Sequence, residues 1–283
     1  MGYQSIDVAP LAGAMGAEIH GVDLASELTN QQFDEIHQAH LDYLTIVFRD
    51  QKLTPPQQAD FARRFGTLEI YPFLKGIDGA PEVVELIKTE VDTENFGGVW
   101  HSDTTYQEKP VMGSMLYAHE VPDAGGDTLY ANMYLAYESL SDGMKELLDG
   151  LKAHNNSAQL YRGGRAKKME KLAGMKDQYK TESEVLESLH PVVRTHPETG
   201  RKALYVNRSH TERFENMTAE ESAPLLHYLC DHSIRPEFTC RIKWEPGTLA
   251  FWDNRCTQHF AINDYPGKRR RMHRVIIEGD TPY

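Results

Sequence analysis

Phe238, Cys240, Ile242 and Trp244 alternate with Thr239, Arg241 and Lys243. An alternation of period two marks a strand that buries one face and wets the other. Comparable short β-prone runs recur along the chain, at Val83 to Lys88, Ser114 to Val121, Thr128 to Asn132, Thr248 to Asp253 and Met272 to Glu278. Val192 to Thr195 and Lys202 to Asn207 flank a Pro-Glu-Thr-Gly turn and predict a hairpin. Helix signals are fewer. Thr29 and Gln32 form a capping box ahead of Phe33, Ile36, His40 and Tyr43. Thr54, Pro55 and Gln57 open a second helix, which Gly66 after Phe65 is expected to close. Thr218 and Glu221 cap a third that carries Leu225, Leu226 and Leu229. Strands and helices do not alternate regularly, so a parallel α/β fold is disfavoured. The pattern predicts a mainly β, α+β protein, a double-sheet jelly roll with peripheral helices, as one large domain or two smaller ones.

The 283 residues are 40% hydrophobic and 25% charged, ordinary values for a globular chain. The net charge of −12 disfavours nucleic acid as a partner, since phosphate contacts need clustered Lys and Arg. Any anion site must then be a local basic pocket. The cysteines Cys230, Cys240 and Cys256 are few, odd in number and without CxxC spacing, which fits a reducing compartment. With no signal-peptide pattern and no long apolar run, a cytoplasmic protein without a membrane span is expected. The stretch from Ala158 to Lys180 concentrates Arg162, Arg165, Lys167, Lys168, Lys171, Lys176 and Lys180. It reads either as a solvated loop or as a mobile basic lid, over 158–182, closing on an anionic ligand.

Two His-x-Asp pairs occur. His40-Leu41-Asp42 falls in the first predicted helix, where residues two apart diverge by about 200° and cannot share a metal ion. His101-Ser102-Asp103 lies in an extended region, where residues two apart share a face. His259, in Thr257-Gln258-His259, supplies a third donor. Two imidazoles and one carboxylate on one face of a metal, with the opposite positions open, form the ligand set of non-haem Fe(II) oxygenases. His210, His227, His232 and His273 are taken as hydrogen-bonded core residues. Arg270 and Arg274, four apart near the last strand, share a face. A buried Arg there needs an anion or an acidic neighbour. Gly125-Gly126-Asp127-Thr128 predicts a tight turn that could present the Thr128 hydroxyl to a carboxylate.

Taken together, Trp-His-Ser-Asp (100–103), Gly-Gly-Asp-Thr (125–128), His-Pro-Val-Val-Arg-Thr-His-Pro-Glu-Thr-Gly-Arg-Lys (190–202), Leu-Tyr-Val-Asn (204–207), Phe-Trp-Asp-Asn-Arg (251–255), Thr-Gln-His (257–259) and Met-His-Arg (272–274) resemble the taurine dioxygenase and 2,4-dichlorophenoxyacetate dioxygenase family. The resemblance runs from about Leu11 to the C-terminus. It implies a double-stranded β-helix, formed as one domain over 1–283, and a dioxygenase that uses Fe(II), 2-oxoglutarate and O₂ and releases succinate and CO₂. By residue, it implies His101, Asp103 and His259 as iron ligands, Arg270 and Thr128 as partners of the far carboxylate of 2-oxoglutarate, and Arg274 as the group that holds the substrate anion.

Where taurine enzymes carry a histidine, a tyrosine and an asparagine, this chain has Tyr71, a position near Leu74 and a position near Gly97, so the resemblance does not carry taurine itself across. The segment from Pro72 to Gly79 and Ile242-Lys243-Trp244 are more similar to phenoxypropionate herbicide dioxygenases. The expected substrate is a small organic anion, an aryloxyalkanoate, a sulfonate or similar, hydroxylated next to a heteroatom so that the product fragments. Tyr71, Leu74, Val99 and Phe260 are the expected apolar side of its pocket. Asp103 argues against a halogenase, whose relatives replace that carboxylate with a small residue. The alternatives are a taurine or alkylsulfonate dioxygenase proper, a Zn²⁺ hydrolase on the same ligands, and a non-catalytic jelly-roll binding protein. By analogy with relatives, a homo-oligomer is expected.

Overall fold

The computed structural model describes residues 2–71, 74–158, 172–175 and 185–283. Its largest sheet runs edge to edge through β1 (Asp7–Pro10), β2 (Ala17–His20), β3 (Thr45–Phe48), β15 (Leu249–Asp253), β7 (Gly113–Glu120), β17 (Arg270–Ile277), β6 (Ala80–Lys88) and β5 (Gly76–Ile77), with β4 (Leu68–Glu69) added beside β17. A second, three-stranded sheet has the order β14 (Thr239–Ile242), β8 (Thr128–Asn132), β16 (Thr257–Ala261). All pairings in both sheets are antiparallel except β2 with β3. β10 (Glu187–Pro191), β9 (Lys152–Asn156) and β13 (Thr211–Phe214) form a small side sheet, and β11 (Val193–Thr195) pairs with β12 (Lys202–Leu204) as the predicted hairpin.

Alternation along the strands builds two cores. Ala250 and Trp252 of β15, Leu116 and Ala118 of β7 and Met272 of β17 turn inward and meet Tyr130, Ala131, Cys240 and Ile242 of the small sheet. Leu249, Phe251, Met115, Tyr117 and Val275 turn the other way. They pack against α1 (Asn30–Tyr43) and α2 (Pro55–Arg63) through Ile36, Ala39, Ala59, Phe61 and Ala62. β15 is therefore buried on both faces, as a strand sandwiched between a sheet and helices must be. The expected jelly roll with peripheral helices is what the chain forms. Three further helices, α3 (Met133–Glu138), α4 (Asp142–Leu148) and α5 (Ala219–Ser233), close the small-sheet side.

All three expected caps are present, each as a capping box. The second helix ends earlier than expected. Arg63 is its last residue, and a turn at Arg64 and Phe65 separates it from Gly66. The hairpin's second strand stops at Leu204 rather than Asn207. His101 does not lie on a regular strand; it makes one isolated bridge to His259, and the chain turns at Asp103. His227 is exposed rather than a core residue. Apart from Ala158 and residues 172–175, the expected lid at 158–182 lies outside the described residues. Among the described residues no helix is long and apolar enough to cross a membrane.

Candidate active site

His101 and His259 face each other through a reciprocal pair of backbone hydrogen bonds, His101 N–H to His259 O at 3.1 Å and His259 N–H to His101 O at 2.8 Å. This brings two side chains far apart in sequence to ring centroids 4.1 Å apart. Thr104, at φ 51°, turns the chain just after Asp103 and lets the carboxylate swing back under the imidazoles. The donor atoms of His101, Asp103 and His259 all lie within 4.8 Å of one another, and all three residues are buried.

His101 and Asp103 are aimed by hydrogen bonds, whereas His259 is placed by its strand and its Nδ1 is buried without a partner. His101 Nδ1 lies 2.7 Å from the Val99 carbonyl oxygen, which can only accept, so Nδ1 carries the proton and Nε2 keeps its lone pair. Asp103 Oδ2 accepts from the Ser114 hydroxyl at 2.8 Å and from Arg274 Nη2 at 2.6 Å. Oδ1 is left facing His101 Nε2 at 3.5 Å and His259 Nε2 at 3.8 Å. Asn254 holds the loop from outside: its side chain accepts from the Asp103 N–H and from Trp252 Nε1 and donates to Ser114 Oγ. Burial would push the Asp103 carboxyl up, but Arg274 and the two imidazoles outweigh it and hold it well below the usual carboxylate range. Burial, reinforced by His101, holds His259 well below the usual imidazole range, with Asp103 opposing. Both groups are thus kept in the form that binds a cation. One carboxylate oxygen and two imidazole lone pairs converging on one point fit Fe(II).

A cavity opens from this triad between the two sheets. His101, His259, Trp252 and Arg274 line one part of it, and Thr128, Tyr130, Tyr265, Lys88 and Arg270 line another. Arg270 and Arg274 face inward from β17, as the spacing of four on one strand requires, but their partners differ. Arg274 pairs with Asp103 through Nη2, and its buried Nε has no partner. Arg270 is buried with both Nε and Nη2 unpartnered. Its guanidinium carbon sits 5.6 Å from the Trp244 ring centroid. Nearby Asp127 is not its counter-ion, because Arg241 Nε takes that carboxylate at 2.6 Å. Burial lowers the Arg270 pKa, with no carboxylate close enough to restore it. Thr128 enters the cavity from the turn at Gly125 and Gly126, whose positive φ values of 84° and 73° suit glycine. Its oxygen accepts from Trp244 Nε1 at 2.9 Å, which leaves its own proton to donate.

The four expected apolar residues separate. Tyr71 is buried, with its ring centroid 5.5 Å from the Arg274 guanidinium carbon, and shares an apolar cluster with Leu74, Leu172 and Met175. None of the four lines the cavity itself: Tyr71 and Leu74 lie behind Arg274, Leu172 and Met175, and Val99 and Phe260 lie elsewhere. Val99 contributes its carbonyl oxygen to His101 instead, and Phe260 follows His259 on β16, so its side chain points to the opposite face and packs on Trp100 at 5.7 Å. Sequence reasoning gave no individual site role to Ser114, Asn254, Trp244 and Lys88, whose contacts come from elsewhere in the chain. It also passed over Leu172 and Met175, which lie among lysines yet line the cavity. Asp92 anchors their turn by accepting the Ala173 N–H at 2.6 Å.

The family model of the taurine catabolism dioxygenase TauD, TfdA family matches residues 7–276. This chain belongs to that family. An alpha-ketoglutarate-dependent sulfate ester dioxygenase of Pseudomonas putida is 35% identical over 98% of this chain and 91% of its own length. An (S)-phenoxypropionate/alpha-ketoglutarate-dioxygenase of Sphingobium herbicidovorans is 33% identical over 98% of this chain and 96% of its own. The crystal structure of a taurine dioxygenase from Burkholderia xenovorans superposes with a TM-score of 0.82 at 35% identity, covering 99% of this chain and 91% of that one. As a TauD/TfdA-family member the chain is an Fe(II)- and 2-oxoglutarate-dependent dioxygenase, with O₂ as the oxidant.

Proposed function

We propose that His101, Asp103 and His259 hold the Fe(II), that Arg270 and Thr128 hold the far carboxylate of 2-oxoglutarate, and that the remaining cavity presents a C–H bond of a small organic anion for hydroxylation. The observation that carries this reading is Arg270: a buried guanidinium with two unpartnered nitrogens, lining the same cavity as His101 and His259. A buried cation left unpaired is costly, and none of the described residues supplies its anion, which fits a bound carboxylate. A hydrolytic metal site needs no such second anchor. When bound, Fe(II) and 2-oxoglutarate activate O₂, with release of succinate and CO₂.

The protein's own residues supply placement. Ser114 and Arg274 fix the Asp103 carboxylate so that one oxygen remains to bind. The Val99 carbonyl fixes the His101 tautomer. Leu86, Phe96, Leu116, Leu172 and Met175 make the cavity wall apolar and exclude water from the reacting C–H. The free Nε of Arg274, with Tyr71 and Leu74 behind it, is suited to the substrate's oxyanion. Relatives named for a sulfate ester and for a phenoxypropionate share one chemistry, an anionic group with an ether-type oxygen on the carbon to be oxidised. Hydroxylation there gives a hemiacetal-like adduct that collapses to a carbonyl compound and an oxyanion leaving group. An alkyl sulfate or aryloxyalkanoate is therefore favoured over taurine. The protein is further proposed to work in the cytoplasm, where its three buried free cysteines stay reduced, and as an assembly of identical copies.

The test is succinate release in air, with Fe(II) and 2-oxoglutarate, across alkyl sulfates, aryloxyalkanoates and sulfonates. Coupling to one of the first two classes is expected. Coupling to taurine alone would overturn the substrate assignment.

A further inference from the structure

Lys88 is a second buried cation in the same cavity. It ends β6, directly opposite Arg270 in the antiparallel register with β17, so the two side chains share the inner face. Lys88 is 5% exposed, lines the cavity, and its Nζ is buried with no hydrogen-bond partner. Two like charges placed opposite each other on one face oppose folding. Burying both without counter-ions adds several kcal/mol per ion. The compensation within the chain is small. The Lys88 ammonium lies 4.3 Å from the Tyr265 ring centroid, and such a contact contributes about 0.5–2 kcal/mol. Asp92 is the acid whose charge reaches Lys88, but it accepts hydrogen bonds from the Thr89 N–H and hydroxyl and from the Ala173 N–H.

The geometry points to Lys88 as a second binding group for the far carboxylate of 2-oxoglutarate, which would sit between the Lys88 ammonium, the Arg270 guanidinium and the Thr128 hydroxyl. This rests on the co-substrate assignment above and extends it by one residue. Arg270 offers a flat fork and Lys88 a point charge, so a carboxylate can take two N–H bonds from the one and an axial contact from the other. The pair would set the preference for a 2-oxo dicarboxylate. A 2-oxo monocarboxylate would leave two buried cations unpaired rather than one. Among the described residues the other cations lining the cavity are Lys88 and Arg270, which pair across β6 and β17, whereas Asp103 already balances Arg274. That is the reason for placing the anion of Lys88 at the co-substrate's end and not at the substrate's.

The test compares the wild type with Lys88→Met and Lys88→Arg. Lys88→Met should raise the KM for 2-oxoglutarate about tenfold, or ~1.4 kcal/mol. It should leave the KM for 2-oxovalerate, which lacks the far carboxylate, and that for the primary substrate within twofold. Lys88→Arg should recover part of the loss. Without ligand, Lys88→Met should melt at a higher temperature than the wild type, since a strained cation has been removed. Saturating 2-oxoglutarate with Mn(II) should stabilise it less than it stabilises the wild type. A residue with a packing role alone would show the reverse in the free protein. An unchanged KM for 2-oxoglutarate in Lys88→Met, or a rise confined to the primary substrate, overturns the assignment of Lys88 alone. A wild type that neither binds nor turns over 2-oxoglutarate overturns the co-substrate reading and this inference with it.

Discussion

His101, Asp103 and His259 form one buried cluster whose donor atoms lie within 4.8 Å of one another, and His196, Asp253 and Cys256 form a second that meets the same measure. The two differ in what their atoms already do. Asp253 takes the Arg255 fork on both oxygens, Nε to Oδ1 at 2.9 Å and Nη2 to Oδ2 at 2.7 Å, and His196 Nε2 on Oδ2 at 2.9 Å. His196 Nδ1 accepts the N–H groups of Glu198 and Thr199, so Nε2 carries the proton and cannot bind a metal. Burial holds the Cys256 thiol well above its ordinary pKa, and so protonated. In the first cluster, Asp103 Oδ1 and the His101 lone pair remain uncommitted, and a cavity adjoins them. Proximity of ligand types is common to both. Unused binding capacity facing a cavity is found in the first alone, and that marks the reactive site.

The contrast can be broken most strongly at Arg255. Replacing it with Met leaves Asp253 buried and short of its main counter-charge, which should cost about 3–5 kcal/mol of stability and lower Tm by on the order of 10 °C. Chemical denaturation and metal analysis together should show a weaker fold with metal stoichiometry unchanged. At Asp103→Ala the larger loss should be in metal binding and turnover, although Arg274 also loses its buried counter-charge and the fold is weakened. Turnover should fall by about 10²-fold or more, since even outer partners of a metal ligand are worth about 10–100-fold, while far-UV circular dichroism stays native.

Arg270→Ala sharpens the division within the reactive site. Losing a buried charge partner costs about 2–5 kcal/mol, so the KM for 2-oxoglutarate should rise roughly 30-fold or more. Metal affinity, measured by equilibrium dialysis, should hardly move. Loss of the metal instead would remove Arg270 from the co-substrate role. The smallest effect is at His40, which neighbours the second cluster. Burial lowers its pKa to about 3, against a weaker pull from Asp253, and it stacks on Phe251 at 3.8 Å. The unfolded chain therefore binds a proton at His40 between about pH 6.5 and 3 that the folded chain does not, and this contribution to stability is lost as pH falls through that window. His40→Phe should flatten the fall of Tm from pH 6.5 towards 4. An unaltered profile would show that His40 is not held neutral.

Much of this arrangement was legible in the sequence because it depends on short-range pattern. The period-two run at Phe238 to Trp244, the glycine turn before Thr128 and the spacing of Arg270 and Arg274 each fix a local geometry that the fold preserves. The His40-Leu41-Asp42 pair lies in helix α1, as periodicity required. What was not legible depends on contacts across the chain. β16 reads Thr-Gln-His-Phe-Ala, too polar at its start to announce a strand, because its polar groups are satisfied internally, as when Gln258 donates to the Val206 carbonyl. Asp103 is aimed by Ser114, Asn254 and Arg274, none of which adjoins it in sequence. Phe260 was expected in the pocket, yet it follows His259 on β16, and adjacency on a strand places the two on opposite faces.

The most direct test of the reactive-site account is anaerobic titration of Fe(II) and 2-oxoglutarate into the wild type, Asp103→Ala and Asp253→Asn, followed by visible absorption. The account predicts a charge-transfer band that saturates at one equivalent of iron in the wild type, persists in whatever fraction of Asp253→Asn stays folded, and is absent from Asp103→Ala. A band that survives in Asp103→Ala, or that disappears from folded Asp253→Asn, would contradict it.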